Sequence, residues 1–227
     1  MWHVWTEGTI VKKLKRDSSS HQKFITDKNF NAGIKFWQNE TYWPRDFHNR
    51  FYAELAEINK DDQFSIEWWY RILPHLSCWR ATRPKSAKEL TQRARPRLGR
   101  LKRAFQAISD APNDIAVDGL NWEIVEGFTI IAADIKGANP PTFCSKLCHF
   151  ISPKRFPVTD SGAMGSPKEN YKDYWNCVRD EWRATPKELQ ERLKKRLESA
   201  ADVSLPSDFP YACKIAEICL IGKNQRH

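Results

Sequence analysis

Residues 136–150 read KGANPPTFCSKLCHF, and this stretch decides the fold that we predict. A helical pattern before it ends at Lys136 and Gly137, and a second helix is expected to begin near Thr142. Two helices joined by so short a turn form a hairpin. The backbone N–H groups that open the second helix have no partners within it, so the turn is suited to binding a phosphate group.

Residues 153–161 follow closely and read PKRFPVTDS. Pro153 is expected to end the second helix, and a short apolar segment then leads to Asp160 at the start of another helix. An aspartate in that position caps exposed N–H groups, and the helix dipole favours its negative charge. Asp160 is therefore the first candidate for a functional carboxylate.

Helical periodicity dominates the rest of the chain and predicts a compact, mostly α fold. Further helices are predicted near residues 47–58, 98–108, 189–197 and 211–221, the third of them capped by Thr185 with Pro186 in its first turn. Residues 8–11 give the one strand signal. A central helix is predicted from an apolar stripe at intervals of three and four, formed by Trp122, Val125, Phe128, Ile131, Ala132 and Ile135.

The net charge of +9 is concentrated in one segment. Residues 83–103 hold nine basic residues and one acidic residue, a balance of +8 that leaves about +1 for the remainder. Such a patch indicates a face that meets a polyanion. Pro96 and Gly99 are expected to break the helix here and to expose four arginines as phosphate contacts, namely Arg93, Arg95, Arg97 and Arg100.

Composition excludes several classes of protein. Of the 227 residues 41% are hydrophobic, with ten Trp and twelve Phe, which is incompatible with a disordered chain. No run approaches the length of a transmembrane helix, and the first five residues do not resemble a signal peptide. The six cysteines form no CxxC pair, so we expect reduced and mostly buried thiols in a cytoplasmic protein without a metal. We predict a main domain at 41–227, with residues 1–40 packing on it.

The hairpin, the Ser145-Lys146-Leu147 helix and the FPVTD sequence at 156–160 together resemble the helix-hairpin-helix DNA glycosylase superfamily, in particular its 8-oxoguanine-glycosylase-like branch. The resemblance covers residues 120–221. It implies that the hairpin grips the DNA backbone, with Lys136, Gly137, Asn139 and Thr142 as contacts. It also implies that the target nucleotide is flipped out of the duplex and that Asp160 is the essential aspartate.

The chain departs from the family pattern at two points. The turn has one glycine where the family has two, and the family's spacing for a nucleophilic lysine falls on Thr142, whereas Lys146 lies one turn further along. Lys146 is therefore either an offset nucleophile or a pocket or solvent-facing lysine, and we favour water as the nucleophile. The four-cysteine cluster of endonuclease III is absent, so the resemblance implies no iron–sulfur cofactor.

A flipped base needs a pocket with aromatic walls. Trp68, Trp69, Tyr70 and Trp79 are candidates for stacking on the base, and His149 could contact base or DNA. The alternative for the tryptophan pair is core packing, because adjacent residues on a helix point in different directions and one of them at least must face inward. For His149 the alternative is a structural histidine.

The sequence as a whole predicts a monomeric DNA glycosylase that hydrolyses an N-glycosidic bond and leaves an abasic site. One carboxylate could suffice, because positive charge develops on the deoxyribose as the base leaves. Such an activity fits base-excision repair or antiviral defence against phages with modified bases. Two alternatives stay open, a helical nucleic-acid-binding module without catalysis and a bifunctional glycosylase and lyase that uses Lys146.

Overall fold

Helices make up the fold. A computed structural model describes residues 23–39, 51–109, 116–137, 141–165, 170–201 and 204–225, and these ranges contain one 3₁₀ turn, at Val117–Gly119, and no strand. The predicted mostly α class is confirmed, and the predicted strand at 8–11 lies outside the described residues. The helices are α1 (Asp27–Asn39), α2 (Phe51–Lys60), α3 (Ile66–Cys78), α4 (Ala87–Ala94), α5 (Leu98–Ser109), α6 (Trp122–Lys136), α7 (Pro141–Ile151), α8 (Ser161–Met164), α9 (Tyr171–Ala184), α10 (Lys187–Ala200) and α11 (Tyr211–Asn224).

The predicted pair of helices around the turn is present as α6 and α7. Gly137 follows the last residue of α6 with φ of 85°, a left-handed conformation that glycine adopts without strain. Pro141 opens α7, where its missing N–H costs no helical hydrogen bond. Residues 138–140, including the predicted DNA contact Asn139, lie outside the described residues.

The core forms around α6 and α11, as the apolar stripes predict. On α6 the residues Trp122, Val125, Phe128 and Ile135 are buried, and this helix packs against α4, α5, α7 and α9. Helix α11 is buried from Ala212 to Gly222. No helix among the described residues combines the length and the apolar character needed to cross a membrane.

Two local predictions were wrong. Thr185 does not cap α10, because it ends α9 and its hydroxyl donates to the Glu181 carbonyl at 2.7 Å; Pro186 takes the cap position. Gly99 does not break a helix either. It lies within α5, and the break falls between α4 and α5, where the Arg97 N–H bonds to the Ala94 carbonyl.

Helices α1 and α11 approach each other through two glycines. A β-carbon on Gly33 would lie 2.0 Å from the Ile218 carbonyl oxygen, and one on Gly222 would lie 1.9 Å from the Asn29 carbonyl oxygen. Both contacts are with backbone, which cannot rotate away. The described residues 23–39 are therefore packed on the C-terminal helix, while the domain boundary at residue 40 stays a prediction.

We predict that Gly33→Ala or Gly222→Ala lowers the free energy of unfolding by about 1–3 kcal/mol or more, because the added methyl group forces the two helices apart. Urea denaturation measures this loss. Gly127→Ala in α6 is the matched control. A β-carbon there meets nothing within 4 Å, so alanine should stabilise the helix by about 0.5–1 kcal/mol. Equal losses at all three positions would contradict the role of close packing.

Candidate functional site

Asp160 caps the short helix α8, as predicted. Its Oδ1 atom accepts hydrogen bonds from the backbone N–H groups of Gly162 at 3.1 Å and Ala163 at 3.4 Å. The side chain is 27% exposed, so part of the carboxylate reaches solvent although protein groups hold it.

Lys146 holds the second oxygen of the same carboxylate. Its Nζ lies 2.9 Å from Asp160 Oδ2 and donates to the Trp79 carbonyl at 2.8 Å. The lysine side chain is only 4% exposed, so the alternative of a solvent-facing lysine is wrong. The hairpin helix and the loop after α3 thus jointly fix the orientation of Asp160.

Residues 155–160, which we call the connecting segment, carry Asp160 to this position. Residues 155–159 are buried and belong to no helix, so their carbonyl groups need partners from side chains. Helix α9 supplies three donors from one face, at distances of 2.6 to 3.0 Å. They are Tyr171 Oη to the Pro157 carbonyl, Tyr174 Oη to the Val158 carbonyl and Trp175 Nε1 to the Arg155 carbonyl.

Helix α7 holds the connecting segment from the other side. The Ser145 hydroxyl oxygen accepts from the Thr159 N–H at 3.2 Å. His149 Nδ1 lies 2.7 Å from the Phe156 carbonyl oxygen, and its Nε2 lies 2.9 Å from the Tyr52 hydroxyl. A carbonyl can only accept, so Nδ1 carries the proton and Nε2 accepts from Tyr52.

His149 is therefore a structural histidine and does not line a base pocket. It is 1% exposed, and burial, together with the charge of Lys214, lowers its pKa to about 3. In the neutral ring Nδ1 donates to the Phe156 carbonyl and Nε2 accepts from Tyr52, so both hydrogen bonds are satisfied.

The assignment of Trp68 and Trp69 to a base pocket was also wrong. They are 1% and 0% exposed, because α3 is covered on both sides. The Trp68 indole N–H donates to Asn59 Oδ1 in α2 at 2.9 Å, and that of Trp69 donates to Thr91 Oγ1 in α4 at 3.1 Å. Both rings are core residues, and neither has a face on which a base could stack.

Residues 83–103, which we call the basic segment, meet the hairpin at the C-terminal end of α6. Arg93 Nε donates to the Ile135 carbonyl at 2.6 Å and its Nη2 to the Asp134 carbonyl at 3.0 Å. Arg97 Nε donates to Asp134 Oδ2 at 2.6 Å, and this bond lowers the pKa of that carboxyl group. The guanidinium of Arg93 also fills the space beside Gly137. The two predicted DNA contacts therefore form one surface.

The four arginines differ in what their side chains do. Arg93 and Arg97 are half-buried and bonded to the end of α6, which their charge complements. Arg95 and Arg100 are exposed. The sequence placed all four in one class, because nothing in the spacing indicates which guanidinium groups meet carbonyls from another helix.

Of the predicted hairpin contacts, Lys136 is oriented toward protein. Lys136 Nζ donates to the Ala81 carbonyl at 2.6 Å and lies 5.5 Å from the centre of the Phe143 ring. Burial lowers its pKa, and the nearby charges of Lys146 and Lys85 add to the effect. Thr142 is half-buried at the start of α7, and its carbonyl accepts from the Ser145 hydroxyl at 3.1 Å.

Several site residues were missed by sequence reasoning. The spacing of Tyr171, Tyr174 and Trp175 marks one face of α9, but it does not show that these side chains bind a backbone segment. The pair formed by Lys214 and Glu217 was missed as well, although their spacing is that of an ion pair on a helix.

No family model matches the chain, and neither a curated protein nor a solved structure matches it.

We predict a pH dependence of stability from His149. The unfolded histidine takes up a proton as the pH falls below 6.5, whereas the folded one does so only near pH 3. Its contribution is therefore complete above pH 6.5 and is lost as the pH falls. Between pH 7 and pH 5 the wild-type protein should lose about 2 kcal/mol more unfolding free energy than His149→Gln. Urea denaturation at the two pH values tests this, and parallel losses would contradict it.

Proposed function

We propose that this chain is a DNA glycosylase that removes a modified base by hydrolysis, with Asp160 as its catalytic residue. The observation that supports this best is the fixed Asp160 carboxylate, held at Oδ1 by α8 and at Oδ2 by Lys146 of the hairpin helix. An ordinary capping aspartate needs only the first of these contacts. The second contact ties a partly exposed carboxylate to the hairpin helix through a buried ammonium group.

The reaction requires a negative charge beside the sugar. As the bond from C1′ to the base nitrogen breaks, its electron pair leaves with the base and positive charge develops on the deoxyribose. The partly exposed Asp160 carboxylate can stabilise that charge and orient a water molecule. The water oxygen then bonds to C1′, its proton passes to the carboxylate or to solvent, and an abasic site remains.

Lys146 supports this chemistry as a positioning residue. Its side chain is only 4% exposed against 27% for Asp160, so a sugar that approaches from solvent meets the carboxylate before the lysine. For Lys146 to act as the nucleophile, it would first have to give a proton to Asp160, 2.9 Å away, and then reach C1′ itself. The burial of the side chain favours water as the nucleophile.

The surface that residues 83–103 and the hairpin form at the end of α6 supports DNA as the partner. Arg95 and Arg100 are exposed in the segment that bonds to this end of α6, and α7 begins after the same turn. Arg93 and Arg97 hold the underlying backbone. We propose that the exposed pair contacts phosphates and that the bonded pair keeps the turn in shape.

A direct test uses duplexes that each carry one modified base, followed by alkali to cleave abasic sites. We expect alkali-dependent cleavage on one or more substrates. We also expect that Asp160→Asn reduces the single-turnover rate on the order of 100-fold to 1,000-fold, since the developing charge loses its partner. Asp180→Asn is the matched control, because it also removes a carboxylate that bonds a cation, Arg179, at 2.8 Å. It should excise at the wild-type rate.

The same assay separates the alternatives. Strand breaks without alkali, trapped as a covalent complex by borohydride and lost in Lys146→Gln, would show a lyase that uses Lys146. Binding to DNA without an alkali-sensitive product on any substrate would favour a binding module. Full excision by Asp160→Asn would remove Asp160 from the mechanism.

The salt dependence of DNA binding tests whether the exposed arginines contact phosphates while the bonded arginines stabilise the fold. We predict that Arg95→Gln with Arg100→Gln reduces the slope of log affinity against log salt by about 2 without loss of thermal stability, because each phosphate contact contributes about 0.9. The variant with Arg93→Gln and Arg97→Gln should instead melt at a lower temperature. Lys187→Gln with Lys195→Gln on α10 is the control of equal charge. An equal slope change in that control would refute a local DNA surface.

A further inference from the structure

We infer that Lys214 and Glu217 of α11 are positioning residues for Asp160, acting through Trp79 and His149. This inference rests on the proposed function for its catalytic consequence, but its structural content can be measured separately.

Lys214 is a charged group at the centre of the core. Its side chain is 0% exposed, and its Nζ lies 2.6 Å from Glu217 Oε2. Three aromatic rings surround the ammonium group, with ring centres at 5.5 Å for Trp37, 6.0 Å for Tyr52 and 5.7 Å for Trp79. Each of these distances is within the range of a cation–π interaction.

One of these rings leads directly to the site. Trp79 follows the last residue of α3, and its backbone carbonyl is the group that accepts from Lys146. Its indole is held by Lys214 and is stacked on Phe51, with ring centres 5.0 Å apart. Because the ring and the carbonyl belong to one residue, fixing the ring restricts where the carbonyl can direct the Lys146 ammonium group.

His149 gives Lys214 a second route to the same carboxylate. The positive charge of Lys214 contributes to the lowered pKa of His149 and so favours the neutral ring. In the neutral tautomer Nδ1 donates to Phe156 of the connecting segment, and Nε2 accepts from Tyr52. Tyr52 also faces the Lys214 ammonium group. Lys214 therefore acts on Trp79, whose carbonyl holds Lys146, and on His149, which holds the segment that carries Asp160.

Stability alone does not account for a charged pair at this place. A buried ion pair loses the hydration of both groups, and apolar residues of similar volume are often at least as stabilising. An apolar pair lacks the positive charge that attracts the face of the Trp79 ring and disfavours a proton on His149. Those two effects converge on the Lys146–Asp160 pair.

The test replaces Lys214 and Glu217 together by methionine, which avoids leaving one buried charge without its partner. The matched control is Lys194→Met with Glu191→Met, an exposed pair with the same spacing and an N–O distance of 2.7 Å. Nuclear magnetic resonance then follows the side-chain ¹³Cγ of Asp160 and ¹⁵Nζ of Lys146 in full-length protein. We expect both signals to move in the core variant and to stay in place in the control.

Kinetics give the second readout. The core variant should bind DNA with wild-type affinity but excise the base more slowly in a single turnover, on the order of 10-fold to 100-fold, because the carboxylate is misplaced. If the core variant fails to fold, Trp79→Phe replaces it, since the smaller ring weakens the contact with Lys214 and leaves the charges intact. The same changes in the two signals are expected there.

The outcomes distinguish the two proposals. Unchanged Asp160 and Lys146 signals in a folded variant would overturn the positioning role of Lys214 and Glu217. Wild-type protein that excises no base would overturn the proposed function, while the resonance measurements would still decide whether the pair positions Asp160.

Discussion

A buried backbone segment outside any helix must find hydrogen-bond partners, and in this protein that requirement organises the site. The connecting segment lies between α7 and α9, and side chains of these helices bind its backbone where a neighbouring strand would do so in a sheet. Aromatic side chains of α9 donate hydrogen bonds to three of its carbonyls, while His149 and Ser145 of α7 bond to it from the other side. Asp160 is the next residue, so these hydrogen bonds also restrict the position of its carboxylate.

The charged groups near the connecting segment lie at different depths in the protein. The Asp160 carboxylate reaches solvent, the Lys146 ammonium group lies beneath it, and the Lys214–Glu217 pair lies deeper still. On the outside, two arginines of the basic segment bond to the end of α6. The same residue type thus serves as a structural cap at one position and as an exposed cation a few residues away, which is why net charge alone could not separate the two roles.

The features predicted well are those that depend on short separations in sequence. The hairpin follows from one glycine and two prolines, the central helix from its apolar period, and the Asp160 cap from the position of an aspartate before a helix. Apart from the helix cap at Thr185 and the helix break at Gly99, the features predicted badly depend on contacts between distant segments. Lys146 meets the carbonyl of Trp79, and α2 and α4 cover Trp68 and Trp69. No local pattern encodes these pairings, because each depends on how whole helices are arranged.

The close contact between α1 and α11 at Gly33 and Gly222 limits the order in which the core can form. Helix α11 forms much of the core, yet its closest backbone neighbour is α1, from the opposite end of the described chain. The ribosome must therefore synthesise all the residues from α1 to α11 before this part of the core can form, since contacts between distant segments form only after the intervening chain is available. Until then the apolar face of α1 lacks its partner, and during synthesis it is a surface that chaperones could bind.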